Sequence, residues 1–233
     1  MGTPTHHIGK KFNIDGSVRR FPGNTIICHI PMLTVLSRGL MTVRDRVRIS
    51  PFGHKFTFLP PSSYHMTVFD CMLDERRGPG HWPKDLPADA SINDGTKFLV
   101  ERLRTLDLLI DAPFRIRIGS SGIQTSLTSL TLVPEPESEQ RLRALRDAMS
   151  ERFGITAPDH ATYLFHTTVS YPIEELDDET PCYRVLWLDV VAELAERIGT
   201  FELGAPEFCT FNDMFAFETH CFIGEANARL QSC

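Results

Sequence analysis

Two short segments of this 233-residue chain share one pattern, and that pattern places the strongest constraint on the fold. They are residues 64–68, with the sequence YHMTV, and residues 165–169, with the sequence FHTTV. Each carries a histidine, a threonine two positions later, and apolar or aromatic flanks. Because residues i and i+2 of a β-strand point to the same face, each segment predicts a strand that presents an imidazole beside a hydroxyl. Two such strands facing each other would gather four polar side chains in one cleft.

The triplet of histidine, any residue, and serine or threonine is too common to carry a conclusion alone. With 14 Ser, 20 Thr and 9 His in the chain, roughly 1.3 such triplets arise at random. Three occur, because His160 and Thr162 also fit. His65 and His166 lie in runs rich in aromatic and β-branched residues, whereas His160 follows the turn-like sequence APD. We therefore expect His160 in a loop or at the entrance to a strand.

Composition indicates an ordinary globular protein. A hydrophobic content of 42% supports one large domain or two joined lobes. The net charge of −6 argues against a long basic groove for nucleic acid, although one phosphate needs only a few donors. No apolar run is long enough to cross a membrane, no secretory signal is recognisable, and the six cysteines are scattered. We expect a cytoplasmic monomer with free thiols whose partner is a small phosphorylated or nucleotide substrate, with an RNA end as an alternative.

The chain divides into an irregular N-terminal arm, residues 1–22, and a single bilobal domain, residues 23–233. Periodicity and turn residues predict the order of elements in the domain. Strands are expected at 25–30, 55–59, 64–70, 114–118, 129–133 and 163–171, helices at 33–48, 91–110, 142–153 and 187–198, a turn at 120–125, and a final hairpin at 207–224. The apolar face of the second helix includes Leu106 and Ile110. Gly154 follows the third helix, where glycine readily adopts the left-handed conformation that ends a helix.

A strand, a helix and a motif strand thus follow one another twice, which indicates an internal duplication. Two such lobes would join their sheets about a pseudo-twofold axis, and the cleft between them would hold both motifs. Residues 71–90 leave the first motif strand and are dense in Pro, Gly and charge. A segment of this length is either a lid over the site or a surface excursion.

The pattern resembles the 2H phosphoesterase superfamily, named for two His-x-Ser/Thr motifs, which includes RNA 2′,3′-cyclic phosphodiesterases. A nearer likeness, carried by residues 21–25, 59–69 and 163–171 and covering roughly residues 10–225, is to an uncharacterised bacterial and fungal branch. The resemblance implies an α+β, duplicated, two-lobed architecture with an antiparallel, barrel-like sheet and flanking helices. The catalytic set that it implies is His65, Thr67, His166 and Thr168. The superfamily also includes bacterial RNA ligases of the same fold, in which an arginine commonly lies five residues beyond the second histidine. This chain has Tyr171 at that place, and the departure argues against an RNA or tRNA-splicing substrate.

The chemistry implied by the resemblance is metal-independent hydrolysis of a 2′,3′-cyclic phosphate or a similar strained phosphodiester. One neutral histidine would take a proton from water, and the other, protonated, would give one to the departing ribose oxygen. The threonines would donate hydrogen bonds to the non-bridging oxygens, where negative charge grows. No metal or other cofactor is expected. The sequence does not assign the acid and the base.

Several alternatives stay open. By strand parity Phe69 and Ser170 share the faces of the histidines, so with Tyr171 they are candidates for substrate binding, and ordinary packing is the alternative for Phe69 and Ser170. The two motif histidines could instead be buried residues satisfied by backbone hydrogen bonds, or the pocket could bind a nucleotide or phosphate without turnover. A metal hydrolase would need several histidines to converge, although no zinc-type spacing occurs. The histidines considered for it are His29, His65, His81, His160, His166 and His220.

Overall fold

The computed structural model describes residues 2–105, 110–124 and 126–223, and within these ranges it contains four α-helices and ten β-strands. The helices are α1 (Val35–Ile49), α2 (Ile92–Arg104), α3 (Pro136–Phe153) and α4 (Thr180–Ile198). The strands are β1 (Gly23–His29), β2 (Phe56–Phe58), β3 (His65–Leu73), β4 (Phe114–Ile118), β5 (Ser129–Pro134), β6 (His166–Thr168), β7 (Ser170–Pro172), β8 (Thr200–Leu203), β9 (Glu207–Asp213) and β10 (Ala216–Phe222).

The strands form two four-stranded sheets and a two-stranded link. The first sheet has the order β10-β9-β1-β3, the second has the order β6-β5-β4-β8, and β2 pairs with β7. All paired strands are antiparallel. Each motif strand lies at an edge of its own sheet, and the two edges contact each other. The predicted α+β architecture is confirmed, but in the described part of the chain the sheets form no closed barrel.

Some helix ends follow local chemistry, and others differ from the prediction. The Thr34 hydroxyl accepts the N–H of Ser37 at the start of α1, and Gly154 ends α3 in the left-handed region with φ of 66°. Helices α3 and α4 begin at Pro136 and Thr180, before the predicted starts at 142 and 187, and each has a proline in its first turn. Helix α2 is shorter than predicted: it ends at Arg104 and not at Ile110, because the N–H of Thr105 bonds to the carbonyl of Leu103 and so departs from the helical pattern. Leu106, also expected on this helix, lies outside the described residues, as do Thr125 of the predicted turn and Gly224 of the predicted hairpin.

The second motif strand differs from its prediction as a single strand over residues 163–171. It divides at Val169 into β6, which belongs to the second sheet, and β7, which pairs with β2. The Val169 N–H donates to the carbonyl of Thr128 at 3.2 Å, and its carbonyl accepts the N–H of Leu59 at 3.0 Å. The backbone of Val169 therefore connects the second lobe to the first.

Helix α3 ties the two lobes together, because it contacts β3 on one side and β4 and β5 on the other. Its Arg146 is buried and donates to the carbonyl of Val68 at 2.6 Å and to that of His160 at 3.2 Å. The guanidinium also lies over the Tyr163 ring, 4.0 Å from its centroid. This one side chain holds the middle of the first motif strand against the segment that leads to the second.

No described helix is long and apolar enough to cross a membrane.

The described part of the N-terminal arm, residues 2–22, is irregular and lies against the two-stranded link. Thr5 donates its hydroxyl to the carbonyl of Pro172 at 2.6 Å, and Thr57 of β2 donates to the carbonyl of Gly16 at 2.8 Å. Phe12 is fully buried in the core. The arm is therefore part of the packed structure around β7, the strand that follows the second motif.

Candidate functional site

One cavity of about 240 Å³ lies where the two motif strands meet. The first strand contributes His65 and Thr67, and the second contributes His166 and Thr168. The structure thus brings together all four residues of the predicted catalytic set. We call this space the central cavity. Its other lining residues are Lys11, Phe21, Asn24, Thr25, Leu59, Asp70, Cys71, Leu73, Arg76, Tyr163, Tyr171, Phe211, Met214 and Phe217.

The two histidine rings are restrained in the same way. Nδ1 of His65 lies 2.7 Å from the carbonyl oxygen of Ser63, and Nδ1 of His166 lies 2.9 Å from that of Leu164. Each carbonyl belongs to the residue two positions earlier. Because a carbonyl oxygen only accepts hydrogen bonds, Nδ1 carries the hydrogen in both rings. Nε2 is therefore the nitrogen of each ring that can accept or release a proton.

Burial makes His65 a weak base for a histidine. The pKa of His65 is lowered from 6.5 to about 4, first by loss of solvent around the ring and then by the nearby His29 and His166, while the bond to the Ser63 carbonyl acts in the opposite direction. The Phe217 ring meets the imidazole edge-on, with 4.3 Å between the ring centroids. At neutral pH His65 is thus uncharged, and its Nε2 has a free lone pair.

The motif threonines flank the histidines at the cavity wall. Thr168 Oγ1 lies 2.7 Å from the Ser129 hydroxyl on the neighbouring strand, which fixes its rotamer. Thr67 lies in β3 next to the bulge that follows it. Both hydroxyls line the same space as the two imidazoles. Hydroxyl donors so placed suit an anion with several oxygens, such as a phosphoryl group.

Of the three predicted substrate-binding residues, Tyr171 lines the central cavity, and Phe69 and Ser170 do not. Phe69 does not reach the cavity, because a β-bulge separates it from Thr67. Ile27 pairs with Thr67, but Ile26 pairs with Phe69, so the side-chain alternation reverses between them. Phe69 then packs in the core against Phe153, at a centroid distance of 6.0 Å.

Ser170 also does not line the cavity, and the reason is similar. The chain leaves one sheet and joins another at Val169, so the alternation of the motif strand does not extend to Ser170. Its side chain is fully buried, and the hydroxyl has no hydrogen-bond partner among the described residues. Ser170 is therefore a packing residue at the junction of the two lobes.

Sequence reasoning missed most of the charged residues of the cavity. The bulge brings Asp70 to the face of His65 and Thr67, opposite Thr25 of β1. Arg76 comes from the segment after β3, and Lys11 comes from the N-terminal arm. No periodicity predicts the two cations, since both lie in irregular segments. Leu73 and Arg76 line the cavity, whereas Trp82 of the same 71–90 segment is buried and stacks on Arg77.

The six histidines considered for a metal site do not form one cluster of ligands among the described residues, although His29 and His166 lie near His65. His65 and His166 line the central cavity, His160 bonds to Asp147 at 2.8 Å in a short 3₁₀ turn, and His220 bonds to Thr210 at 2.8 Å. Among the described residues, one group has a composition suited to a metal. His29, Glu207 and Cys209 offer ligand atoms that lie within 4.8 Å of one another. Two of them are already paired, because His29 Nδ1 lies 3.0 Å from a Glu207 carboxylate oxygen.

Two solved structures are similar to this chain, one of them over nearly its whole length. A solved structure described as a conserved protein of unknown function, ATU0111, from Agrobacterium tumefaciens str. C58 is 28% identical, with a TM-score of 0.87 over 96% of this chain and 94% of that one. A second, TT0787 of Thermus thermophilus, is 14% identical, with a TM-score of 0.41 over 82% of this chain and 87% of that one. No curated protein matches the sequence.

A family model named 2H-phosphodiest, described as a domain of unknown function (DUF1868), matches residues 11–127, which is half of the chain. The matched range includes the first motif and Lys11, and the likeness to ATU0111 extends through the second motif. The superfamily is named for two His-x-Ser/Thr motifs. In this chain both motifs lie on strands and line one cavity. The chain belongs to this 2H phosphodiesterase family, within an α+β fold of the 2H phosphoesterase type.

Proposed function

We propose that the protein is a metal-independent phosphodiesterase that hydrolyses a 2′,3′-cyclic phosphate, or a similar strained phosphodiester, of a nucleotide or RNA end. One observation carries the proposal: both imidazoles line one cavity, and each has Nδ1 held by a backbone carbonyl so that Nε2 is left for proton transfer. The family membership supports phosphoesterase-type chemistry. The cavity volume, about 240 Å³, favours a small substrate over an extended strand.

The depressed basicity of His65 suggests how the two roles divide. At neutral pH its uncharged Nε2 accepts a proton from water, whose oxygen then bonds to phosphorus. The bond from phosphorus to one ribose oxygen breaks, and His166 in its protonated form gives the Nε2 proton to that oxygen. Each turnover leaves His65 protonated and His166 neutral, and exchange with solvent restores both. His65 is the general base in this scheme, and His166 is the general acid.

The threonine hydroxyls stabilise the charge that develops during this step. Thr67 and Thr168 donate hydrogen bonds to the non-bridging oxygens, which gain negative charge as water adds to phosphorus. The hydroxyl of Ser129 orients Thr168 at 2.7 Å, so this donor is positioned before the substrate arrives. These four side chains provide both proton transfers and two oxyanion donors, and the strained ring supplies part of the driving force.

The test is turnover of a panel of 2′,3′-cyclic nucleotides by the wild-type protein and by His65→Ala and His166→Ala. Each substitution should reduce kcat/KM by at least ~10³-fold, because each removes a general acid or base and the water interactions it orders. His54→Ala is a matched control, since His54 also has Nδ1 near a backbone carbonyl, that of Pro51 at 3.0 Å, but is exposed and does not line the cavity.

Activity that persists in a chelator agrees with the proposal, and activity lost to a chelator and restored by a metal contradicts it. Full activity of His65→Ala would also contradict it. Tight binding of a nucleoside monophosphate by a protein that hydrolyses none of the panel would identify a non-catalytic nucleotide-binding module of the same fold.

A further inference from the structure

Lys11 is a cation that the N-terminal arm delivers to the wall of the central cavity. Its Nζ lies 3.4 Å from the Tyr171 hydroxyl and 4.6 Å from the centroid of the same ring. The Phe21 ring lies on another side, 5.4 Å from Nζ to the centroid. Two aromatic rings and one hydroxyl oxygen thus hold the ammonium group in place without neutralising it.

No carboxylate among the described residues forms an ion pair with Lys11. Lys55 offers a contrast in the same protein: its Nζ lies 2.6 Å from Glu179 and 3.4 Å from Glu174, as expected of a structural ion pair. The pKa of the nearby His7 is lowered to about 4, first by burial and then by His6, Lys11 and Lys10, so at neutral pH the His7 ring is uncharged. Lys11 is therefore an unneutralised and restrained cation.

An additional anionic group that enters the cavity meets few cations, because His65 is uncharged at neutral pH and the Asp70 side chain is a carboxyl group. Lys11 and Arg76 are the lysine and arginine side chains among the lining residues, and His166 is the third cation when it is protonated. Arg76 is exposed, whereas Lys11 is partly buried and held by its aromatic neighbours.

The position of Lys11 indicates which part of the substrate it contacts. Its Nζ contacts Tyr171 and Phe21 and hydrogen-bonds to no described side chain of either motif. Lys11 thus occupies a part of the cavity wall separate from the two histidine and threonine pairs, where it can meet another group of the substrate.

We propose that Lys11, held by Tyr171 and Phe21, forms an anion subsite that binds a second phosphoryl group of the substrate. This inference rests on the proposed function and extends it, because it makes the substrate a strained phosphodiester that also carries a phosphate monoester. Lys11 selects that substrate by a charge-assisted hydrogen bond and takes no part in proton transfer.

The experiment compares adenosine 2′,3′-cyclic phosphate with the same compound carrying a 5′-phosphate. The wild-type protein should prefer the 5′-phosphorylated probe by about 10-fold in kcat/KM, the size expected for one charge-assisted hydrogen bond. Lys11→Met keeps the aliphatic stem against the two rings but removes the charge, so it should bring the ratio of kcat/KM on the two probes from about 10 to about 1. Lys11→Arg should retain part of the preference.

Lys10→Met is the matched control, because Lys10 is the exposed neighbour and does not line the cavity. It should keep the wild-type preference, and Lys11→Gln provides a second neutral variant if Lys11→Met folds poorly. Binding of adenosine 2′-monophosphate and adenosine 2′,5′-bisphosphate, measured by calorimetry, reports on the subsite without any turnover. A preference in binding that disappears in Lys11→Met supports the subsite even if neither cyclic probe is hydrolysed, which would refute the proposed function alone. An equal loss on both probes, or no preference in the wild-type protein, overturns the subsite.

Discussion

Acidification should destabilise this protein through His65, and the size of the effect follows from its surroundings. The pKa of the ring falls from 6.5 in an unfolded chain to about 4 in the folded one, chiefly because burial penalises the charged form. Between these two values the unfolded chain holds a proton that the folded chain does not. The free energy of unfolding therefore rises with pH across this window, and this contribution of His65 is lost as the pH falls from 6.5 towards 4. The difference between the two pKa values corresponds to about 3 kcal/mol of free energy of unfolding.

The perturbation is His65→Gln, which keeps an amide near the Ser63 carbonyl but does not titrate. Urea unfolding at pH 7.5 and at pH 4.0 gives the free energy of unfolding of both proteins in both conditions. The wild-type protein should lose about 3 kcal/mol more than the variant on acidification. His7, whose pKa is also lowered to about 4, contributes equally to both proteins and cancels from the comparison.

The exposed His54 provides the control, since His54→Gln should lose as much stability as the wild-type protein. A difference of less than about 1 kcal/mol between wild type and His65→Gln would refute the reasoning, because the ring would then be solvated well enough to charge without penalty. The assignment of His65 as the general base in the proposed mechanism would lose its physical support at the same time.

Two further predictions concern the site. Thr67→Val keeps the shape of the side chain and removes a hydroxyl donor, so kcat/KM on a cyclic nucleotide should fall by about 10²-fold with little change in thermal stability; an unchanged rate would exclude Thr67 as an oxyanion donor. Phe217→Ala admits water to the edge of His65, so the pKa of the ring should rise from about 4 towards 6.5 and the acidic limb of the profile of kcat/KM against pH should move the same way. An acidic limb that stays in place in Phe217→Ala would mean that other groups keep water from the ring.

Much of the fold could be predicted because its signals are local. Gly154 at the end of α3 is recognisable from its residue type and position and acts as predicted. The Ser91 hydroxyl accepts the N–H of Asp94 at the start of α2, as serine commonly does at the start of a helix. The spacing of the histidine and threonine in each motif also determines that both side chains share one face of a short strand. These signals need no knowledge of the rest of the chain, so they can be read directly from the sequence.

The remaining features depend on distant contacts. The reversal of alternation after Val68 arises from the pairing of β3 with β1 and from Arg146 of α3, which binds the Val68 carbonyl. The division of the second motif strand at Val169 depends on partners in two different sheets. Lys11 reaches the cavity only because the arm is held against β7. No pattern within five or ten residues encodes these arrangements, and they decide which residues beyond the two motifs line the site.

The backbone of Val169 helps to set the separation of the His65 and His166 imidazoles. Its N–H and carbonyl are held by Thr128 and Leu59 respectively, only three positions beyond His166. The motif strands belong to different sheets, so no ladder of hydrogen bonds between β3 and β6 fixes their spacing. The two peptide groups that flank the Val169 Cα atom therefore help to set this distance, together with Arg146 of α3, which bonds to the carbonyls of Val68 and His160. Inserting one residue at this point would leave the histidine and threonine side chains of both motifs intact. It would still change the distance between the two imidazoles.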